Sequence, residues 1–197
     1  MKDLNTFINR ACSKDKTRYN LLHAYRDIDC LVATDGHRMH YIEQPKIERA
    51  FSLSHEIGIE YPDYRQCIPD VSSGEYNCIK FQPSKTFLKR LLAIAKLDGA
   101  KTPCFELSIE DESITRIDIT CKNRDPFFFA QVGEDLEVVK KVNNKRFTCG
   151  INPFFLHDAL IDCAEILTKL YYKDSSSPLI IEHYNGARAL IMPMRIS

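Results

Sequence analysis

Asp35, His37 and His40 lie close together in the chain. A carboxylate with two imidazoles is a donor set that could hold a divalent metal. On a strand, however, positions 37 and 40 point to opposite faces, so the three would not converge. Eight cysteines (Cys12, Cys30, Cys67, Cys78, Cys104, Cys121, Cys149 and Cys163) could supply nucleophiles or ligands, yet none form Cys-x-x-Cys pairs. Most sit in apolar runs, which reads as reduced, mostly buried thiols. No catalytic residue, metal or cofactor is expected from these groups, and an enzyme is the weakest reading. Two charged stripes remain. Lys85, Lys89 and Lys96 fall within about 40° of one another at 100° per residue of helix. Such a stripe could meet phosphates without reading sequence, or be a solvated face. Asp158, Asp162 and Glu165 stand at i, i+4 and i+7, and an acidic stripe would repel DNA.

The elements that must carry these residues belong to an ordinary globular chain. It has 197 residues, 27 Lys+Arg against 27 Asp+Glu, 44 % hydrophobic and 27 % charged residues. These values argue against disorder, and the length allows one or two domains. Zero net charge excludes a polycation that binds nucleic acid by bulk charge, so any DNA contact needs a local basic face. No apolar run approaches the roughly 20 residues that span a bilayer, and the first residues lack the hydrophobic core of a signal peptide. The expectation is a cytoplasmic protein without a membrane partner.

Leu4, Phe7, Ile8 and Ala11 follow helical spacing and predict a helix over Lys2 to Cys12. Residues Leu21 to Glu43 read as extended chain broken at Asp27-Ile28-Asp29 and Thr34-Asp35-Gly36, while Gln44 to Gly58 is hard to assign. A strand over Tyr76 to Gln82 leads into a helix capped by Ser84 and closed at Asp98-Gly99. Alternating runs predict strands over Cys104 to Glu110, Ser113 to Lys122, Pro126 to Val132 and Arg146 to Ile151. Asn152-Pro153 starts a further helix, read as running to about Leu170. A loop over Lys173 to Ser177 follows. A hairpin then closes the chain, with Tyr184-Asn185-Gly186 as its turn.

A repeat emerges from this order. Cys78 to Pro83 enters one helix, and Cys149 to Pro153 enters another. Thr6-Phe7-Ile8-Asn9-Arg10 echoes Thr86-Phe87-Leu88-Lys89-Arg90. The chain thus reads as three helix-plus-strands units, the first without its leading strand.

Three segments carry identity. Ala33-Thr34-Asp35-Gly36-His37-Arg38-Met39 resembles the Ala-Thr-Asp-Gly-His-Arg-Leu signature of the bacterial DNA polymerase III beta subunit (sliding clamp) family. Tyr61 to Pro69 resembles that family's linker between its second and third domains. Leu190-Ile191-Met192-Pro193-Met194-Arg195-Ile196 resembles its Met-Pro-Met-Arg-Leu terminus, and Asn152 to Leu160 the start of its last helix. The resemblance implies an α+β DNA-clamp (processivity) fold of helix-plus-antiparallel-strand units, about one and a half clamp domains. Residues 1–71 would be a partial second domain plus linker, and 72–197 a complete third domain. The family is not catalytic. It holds polymerase on DNA as a ring lined with helices, and partners insert Leu and Phe side chains into a pocket at the junction of these domains.

Carried onto this chain, that peptide-binding pocket would take Thr34, Gly36, His37, Arg38 and Met39 for one wall. The linker would give Pro62, Gln66 and Cys67, and the last helix Phe155. The other wall would be Leu190, Met192, Pro193, Met194 and Arg195. Methionines make a soft surface that adapts to varied anchors, and Arg38 and Arg195 could hydrogen-bond a partner's backbone. Taken singly, Leu190 and Met192 would be read as core. Gln66 and Cys67 stand where the family tends to have a basic and an aliphatic residue, a departure that could shift partner choice. The implied partners are DNA polymerase and other proteins with clamp-binding motifs, together with double-stranded DNA held non-specifically through Lys85, Lys89 and Lys96. Two functions follow. One is a shortened clamp whose homo-oligomer, a tetramer of three-unit chains, encircles DNA. The other is a non-encircling interaction module that recruits or competes for clamp partners.

Overall fold

The computed structural model describes residues 4–43, 60–97, 103–111, 115–122, 129–135, 137–140 and 147–196. Helix α1 (Leu4–Asn9) is followed by β1 (Tyr25–Arg26), β2 (Cys30–Thr34) and β3 (Arg38–Glu43). Then come β4 (Asn77–Phe81) and α2 (Lys85–Leu97), with β5 (Phe105–Asp111), β6 (Thr115–Lys122), β7 (Phe129–Asp135), β8 (Glu137–Lys140) and β9 (Phe147–Ile151) after it. Helix α3 (Pro153–Leu160) precedes β10 (Thr168–Tyr172), β11 (Leu179–Glu182) and β12 (Arg188–Ile191). Strands β4 and β9 each lead directly into a helix, and each helix is followed by strands, so the three-unit order of the sequence is the order of the fold.

Local chemistry sets the helix starts. The Ser84 hydroxyl accepts from the Phe87 amide at 3.0 Å, and the Asn152 side chain accepts from the Phe154 amide at 3.0 Å with Pro153 in the first turn. Both satisfy amides that would otherwise lack a partner at a helix N-terminus. Phe87, Leu88, Leu91 and Ala95 then form the buried face of α2.

The strands form two antiparallel sheets. One has eight strands in the order β1-β2-β3-β12-β11-β10-β4-β8, and the other four in the order β7-β6-β5-β9. The large sheet runs without interruption from the first unit into the last. Its seam is β3 against β12, with Met39 opposite Leu190 and Arg38 opposite Ile191. The helices cover one side. Phe7 and Ile8 of α1, Leu88 and Leu91 of α2, and Leu156 and Leu160 of α3 share a single core with Ile79, Ile181 and Leu107. A second, smaller cluster of Cys30, Val32, Met39, Tyr41, Tyr64 and Leu190 lies over the seam.

Three readings of the sequence need correction. The helix after Asn152 ends at Leu160, passes through a 3-10 turn at Ile161–Cys163 and breaks where Glu165 takes φ 63. Its continuation is strand β10, in which Thr168, Leu170 and Tyr172 are buried alternately. The acidic stripe therefore does not lie on one helix. Strand β8 was not foreseen. The segment Gln44 to Gly58 and the expected stop at Asp98-Gly99 lie outside the described residues. The closing hairpin is as expected: Leu179 pairs with Ile191 and Glu182 with Arg188, and Gly186 has φ 82 in its turn.

Candidate functional site

The turn between β2 and β3 is built by its own side chains. Asp35 Oδ1 accepts from the amides of His37 at 3.0 Å and Arg38 at 3.1 Å. The Thr34 hydroxyl accepts from the Gly36 amide at 3.0 Å and donates to the Arg38 carbonyl at 2.6 Å. Gly36 takes φ 88, where an L side chain is strained, and a Cβ there would also meet Arg18 Nη1 at 3.0 Å. The Met192 amide donates to the His37 carbonyl at 3.0 Å, extending the seam past β12.

This turn, the seam and the linker enclose a pocket of about 260 Å³. Of the residues expected to bind a peptide, Thr34, Gly36, His37, Arg38, Met39, Pro62, Cys67, Leu190 and Met192 line it. Leu21, Asp63 and Tyr64 line it as well, and sequence reading missed them. Leu21 comes from the loop after α1, with no local signal to tie it to the seam. Tyr64 looked like linker but is buried beneath the pocket, its hydroxyl donating to Asp27 at 3.0 Å. The volume lies just under the roughly 300–1,000 Å³ of drug-sized sites and suits side-chain anchors. Met192, 42 % exposed, offers an apolar rim.

The other expected residues lie elsewhere. Pro193, Met194 and Arg195 line a separate cavity of about 570 Å³ with Gly150, Ser175 and Ser176. The Met194 amide donates to the Gly150 carbonyl at 2.9 Å. Phe155 lines a third cavity with Cys12, Lys14 and His157. Gln66 is exposed and donates to Asp63 at 2.7 Å.

Arg38 is a structural node. Its guanidinium donates to Asp35 at 3.0 Å, to Asp158 of α3 at 2.7 Å and to the Arg10 carbonyl at 2.5 Å, and it lies 4.4 Å over the Phe155 ring. With its donors committed inward, Arg38 shapes the pocket wall rather than offering a free charge. Burial pushes the Asp158 carboxyl up, but hydrogen bonds from His157 and Arg38 outweigh this and hold it below the usual carboxylate range.

The charged stripes also resolve. Lys85, Lys89 and Lys96 are all exposed on α2, and Lys85 pairs with Glu165 at 2.6 Å. Asp162 pairs with Arg10, and Asp158 with Arg38. Each member of the expected acidic stripe is thus bound to a base. His37 and His40 do separate to opposite sides: His37 is exposed at the pocket, while His40 is buried with Nδ1 2.7 Å from the Phe7 carbonyl. Among the described residues no cluster of three metal-ligating side chains occurs, and no helix is long and apolar enough to cross a membrane. Cys30, Cys78, Cys149 and Cys163 are buried, whereas Cys67 is exposed at the pocket.

No family model matches the chain. It is 23 % identical over 237 residues to the beta sliding clamp of Rickettsia felis, covering 93 % of this chain and 62 % of that protein. Among solved structures it is similar to a Caulobacter crescentus beta sliding clamp, with TM-score 0.75 and 20 % identity over 98 % of this chain and 63 % of that one. A DnaN sliding clamp from Bartonella birtlesii bound to griselimycin gives TM-score 0.73 and 17 % identity, again over 98 % and 63 %. The beta subunit of Thermotoga maritima DNA polymerase III gives 0.72 and 18 % over 98 % and 64 %. The chain spans under two thirds of the length of these relatives. It has the DNA-clamp fold of bacterial DNA polymerase III beta subunits, about one and a half clamp domains of it, and resembles those sliding clamps in sequence along most of its own length.

Proposed function

We propose that this chain is a cytoplasmic, non-catalytic, sliding-clamp-like replication protein that binds the clamp-binding peptide motifs of polymerases and other replication or repair proteins. Residues 1–71 act as a partial second clamp domain plus linker and residues 72–197 as a third. The observation that carries the reading is the apolar pocket at the β3–β12 seam, walled by the Thr34-to-Met39 turn, the linker and Leu190 with Met192. A Leu or Phe anchor buried there contributes about 1.5–3 kcal/mol, and the thioethers of Met39 and Met192 adapt to either shape. Pro193, Met194, Arg195, Gln66 and Phe155 lie outside this pocket and would be met only by a peptide that runs on beyond it. One structural neighbour holds griselimycin, so a clamp of this fold takes a bound ligand.

Titration of a labelled peptide with Leu and Phe anchors tests the pocket. Binding is expected, weakened about tenfold by Met192→Ala or His37→Ala. Absence of binding, or indifference to both variants, rejects it.

Contact with double-stranded DNA through Lys89, Lys96 and Lys85 would be sequence-independent and would fall steeply with salt. A homo-oligomer that encircles DNA is retained on closed circular plasmid and lost on linearisation. A second reading, the non-encircling interaction module, is favoured by the Lys85–Glu165 pair, which takes one cation out of the stripe. That reading predicts no difference between circular and linear DNA.

A further inference from the structure

The charge at the pocket mouth is not what its sequence suggests. Two arginines, Arg38 and Arg65, lie beside it in sequence or in space, yet neither is free. Arg38 is held by Asp35, Asp158 and the Arg10 carbonyl. Arg65 turns away from the pocket to Asp27 at 2.9 Å and Asp29 at 2.6 Å. Asp63, which lines the pocket, accepts from Gln66 at 2.7 Å. That donor is neutral and leaves the carboxylate charge standing, and no basic side chain pairs with Asp63 among the described residues. Behind the turn, Arg18 Nη1 lies against Gly36, held by the Asp35 carbonyl at 2.7 Å, and its Nε pairs with Asp15 at 4.0 Å. The pocket is therefore apolar within and anionic on its linker wall.

We infer that Asp63 is a specificity-determining residue, and that the pocket prefers a peptide whose hydrophobic anchor is followed by a lysine or arginine lying along the linker wall. This rests on the peptide-binding reading above. An apolar anchor alone would not distinguish partners, since desolvated methyl groups accept any anchor of about the right size. A fixed, uncompensated carboxylate at the rim rewards one sign of flanking charge and penalises the other. Both groups are exposed, so the effect is small and screened by salt: pairs of this kind correspond to roughly two- to fivefold in affinity.

The test is fluorescence anisotropy with two labelled peptides that share Leu and Phe anchors and differ only in the next residue, Lys or Ser. In low salt the full chain is expected to bind the Lys peptide about two- to fivefold more tightly. The ratio should fall to about one in Asp63→Asn, in Gln66→Arg, which supplies the missing counter-charge, and in the parent chain at high salt. If both peptides bind with equal affinity, or if the Lys preference survives Asp63→Asn, the inference is overturned while the pocket stands. If neither peptide binds, the pocket reading fails and takes the inference with it.

Discussion

Arg38 and His40 are two residues apart on one strand, both are buried, and burial acts on them in opposite ways. Arg38 cannot shed its proton, so it is stable only because two carboxylates and a carbonyl surround it. Arg38→Met removes the cation and leaves the Asp35 and Asp158 carboxylates without their shared partner. A loss of about 3 kcal/mol is expected, read as a lower urea midpoint with an unchanged slope. His40 can shed its proton, and does. The Phe7 carbonyl can only accept, so the proton of the neutral ring sits on Nδ1, and Nε2 is buried with no hydrogen-bond partner among the described residues. Desolvation pulls the His40 pKa down to about 3, and that of the similarly buried His183 to about 4.

Those depressed values fix the sign of a pH effect. Between the ordinary histidine value of 6.5 and these low values, the unfolded chain binds protons that the folded chain refuses. Stability therefore falls as pH is lowered from about 6.5 towards 4. Denaturant midpoints measured across that range should decline, and His40→Gln, which keeps a donor for the Phe7 carbonyl without a titrating ring, should flatten the decline. An equally steep decline in the variant would remove His40 from the explanation. Asp158, whose pKa is lowered, acts in the same direction at still lower pH, as its carboxylate protonates and releases Arg38.

At the level of elements, the starts of α2 and α3 were legible and the end of α3 was not. Ser84 and Asn152 announce caps because a short polar side chain before an apolar run has few other uses. The end of α3 is hidden because Leu156, Leu160, Cys163 and Leu167 continue a helical spacing, while Thr168, Leu170 and Tyr172 begin a strand spacing with no glycine or proline between them. The α-helix tightens into a 3-10 turn after Leu160, the backbone leaves helical geometry at Ala164 with ψ 123, and Glu165 then takes positive φ, rare for such a residue. The Glu165 amide donates to the Pro83 carbonyl at 2.8 Å, a contact no sequence spacing reveals. The pocket divides the same way. Its turn, its linker and its β12 wall were readable as motifs, whereas Leu21 arrives from the distant 3-10 turn at Tyr19–Leu21, and which linker residues face the pocket (Asp63 and Tyr64, not Gln66) is set by the turn at Tyr64–Cys67. Gly150 shows how tightly β9 constrains the segment after β12. A Cβ there would stand 2.4 Å from the Met194 carbonyl oxygen and 2.9 Å from Cys104 Sγ. Backbone cannot yield as a flexible side chain can, so Gly150→Ala should push Met194 and Arg195 off β9. Faster amide exchange at Met194 is the expected readout, with peptide affinity falling where contacts beyond the pocket matter.

The whole molecule raises the question of whether residues 1–71 form a domain at all. Their described part comprises one short helix, three strands and a linker, a unit that alone would be marginal, since small chains bury too little of their surface to be stable. Its apolar residues do not close on themselves. Phe7 and Ile8 belong to the core that α2 and α3 share, and Met39 meets Leu190 across the seam. Two ion pairs, Arg10 with Asp162 and Arg38 with Asp158, tie the two ends of the chain together. The seam is thus interior sheet, and the pocket above it exists only while both parts are folded. Native-state amide exchange tests this directly. Val32 and Tyr41, on β2 and β3, should open with the same free energy as Leu170 and Ile181 on β10 and β11, because all four require global unfolding. Much lower protection at Val32 and Tyr41 would mean that the first unit opens independently. In that case peptide binding would be linked to its docking, and the apparent affinity would drop by the fraction of molecules in which the seam is open.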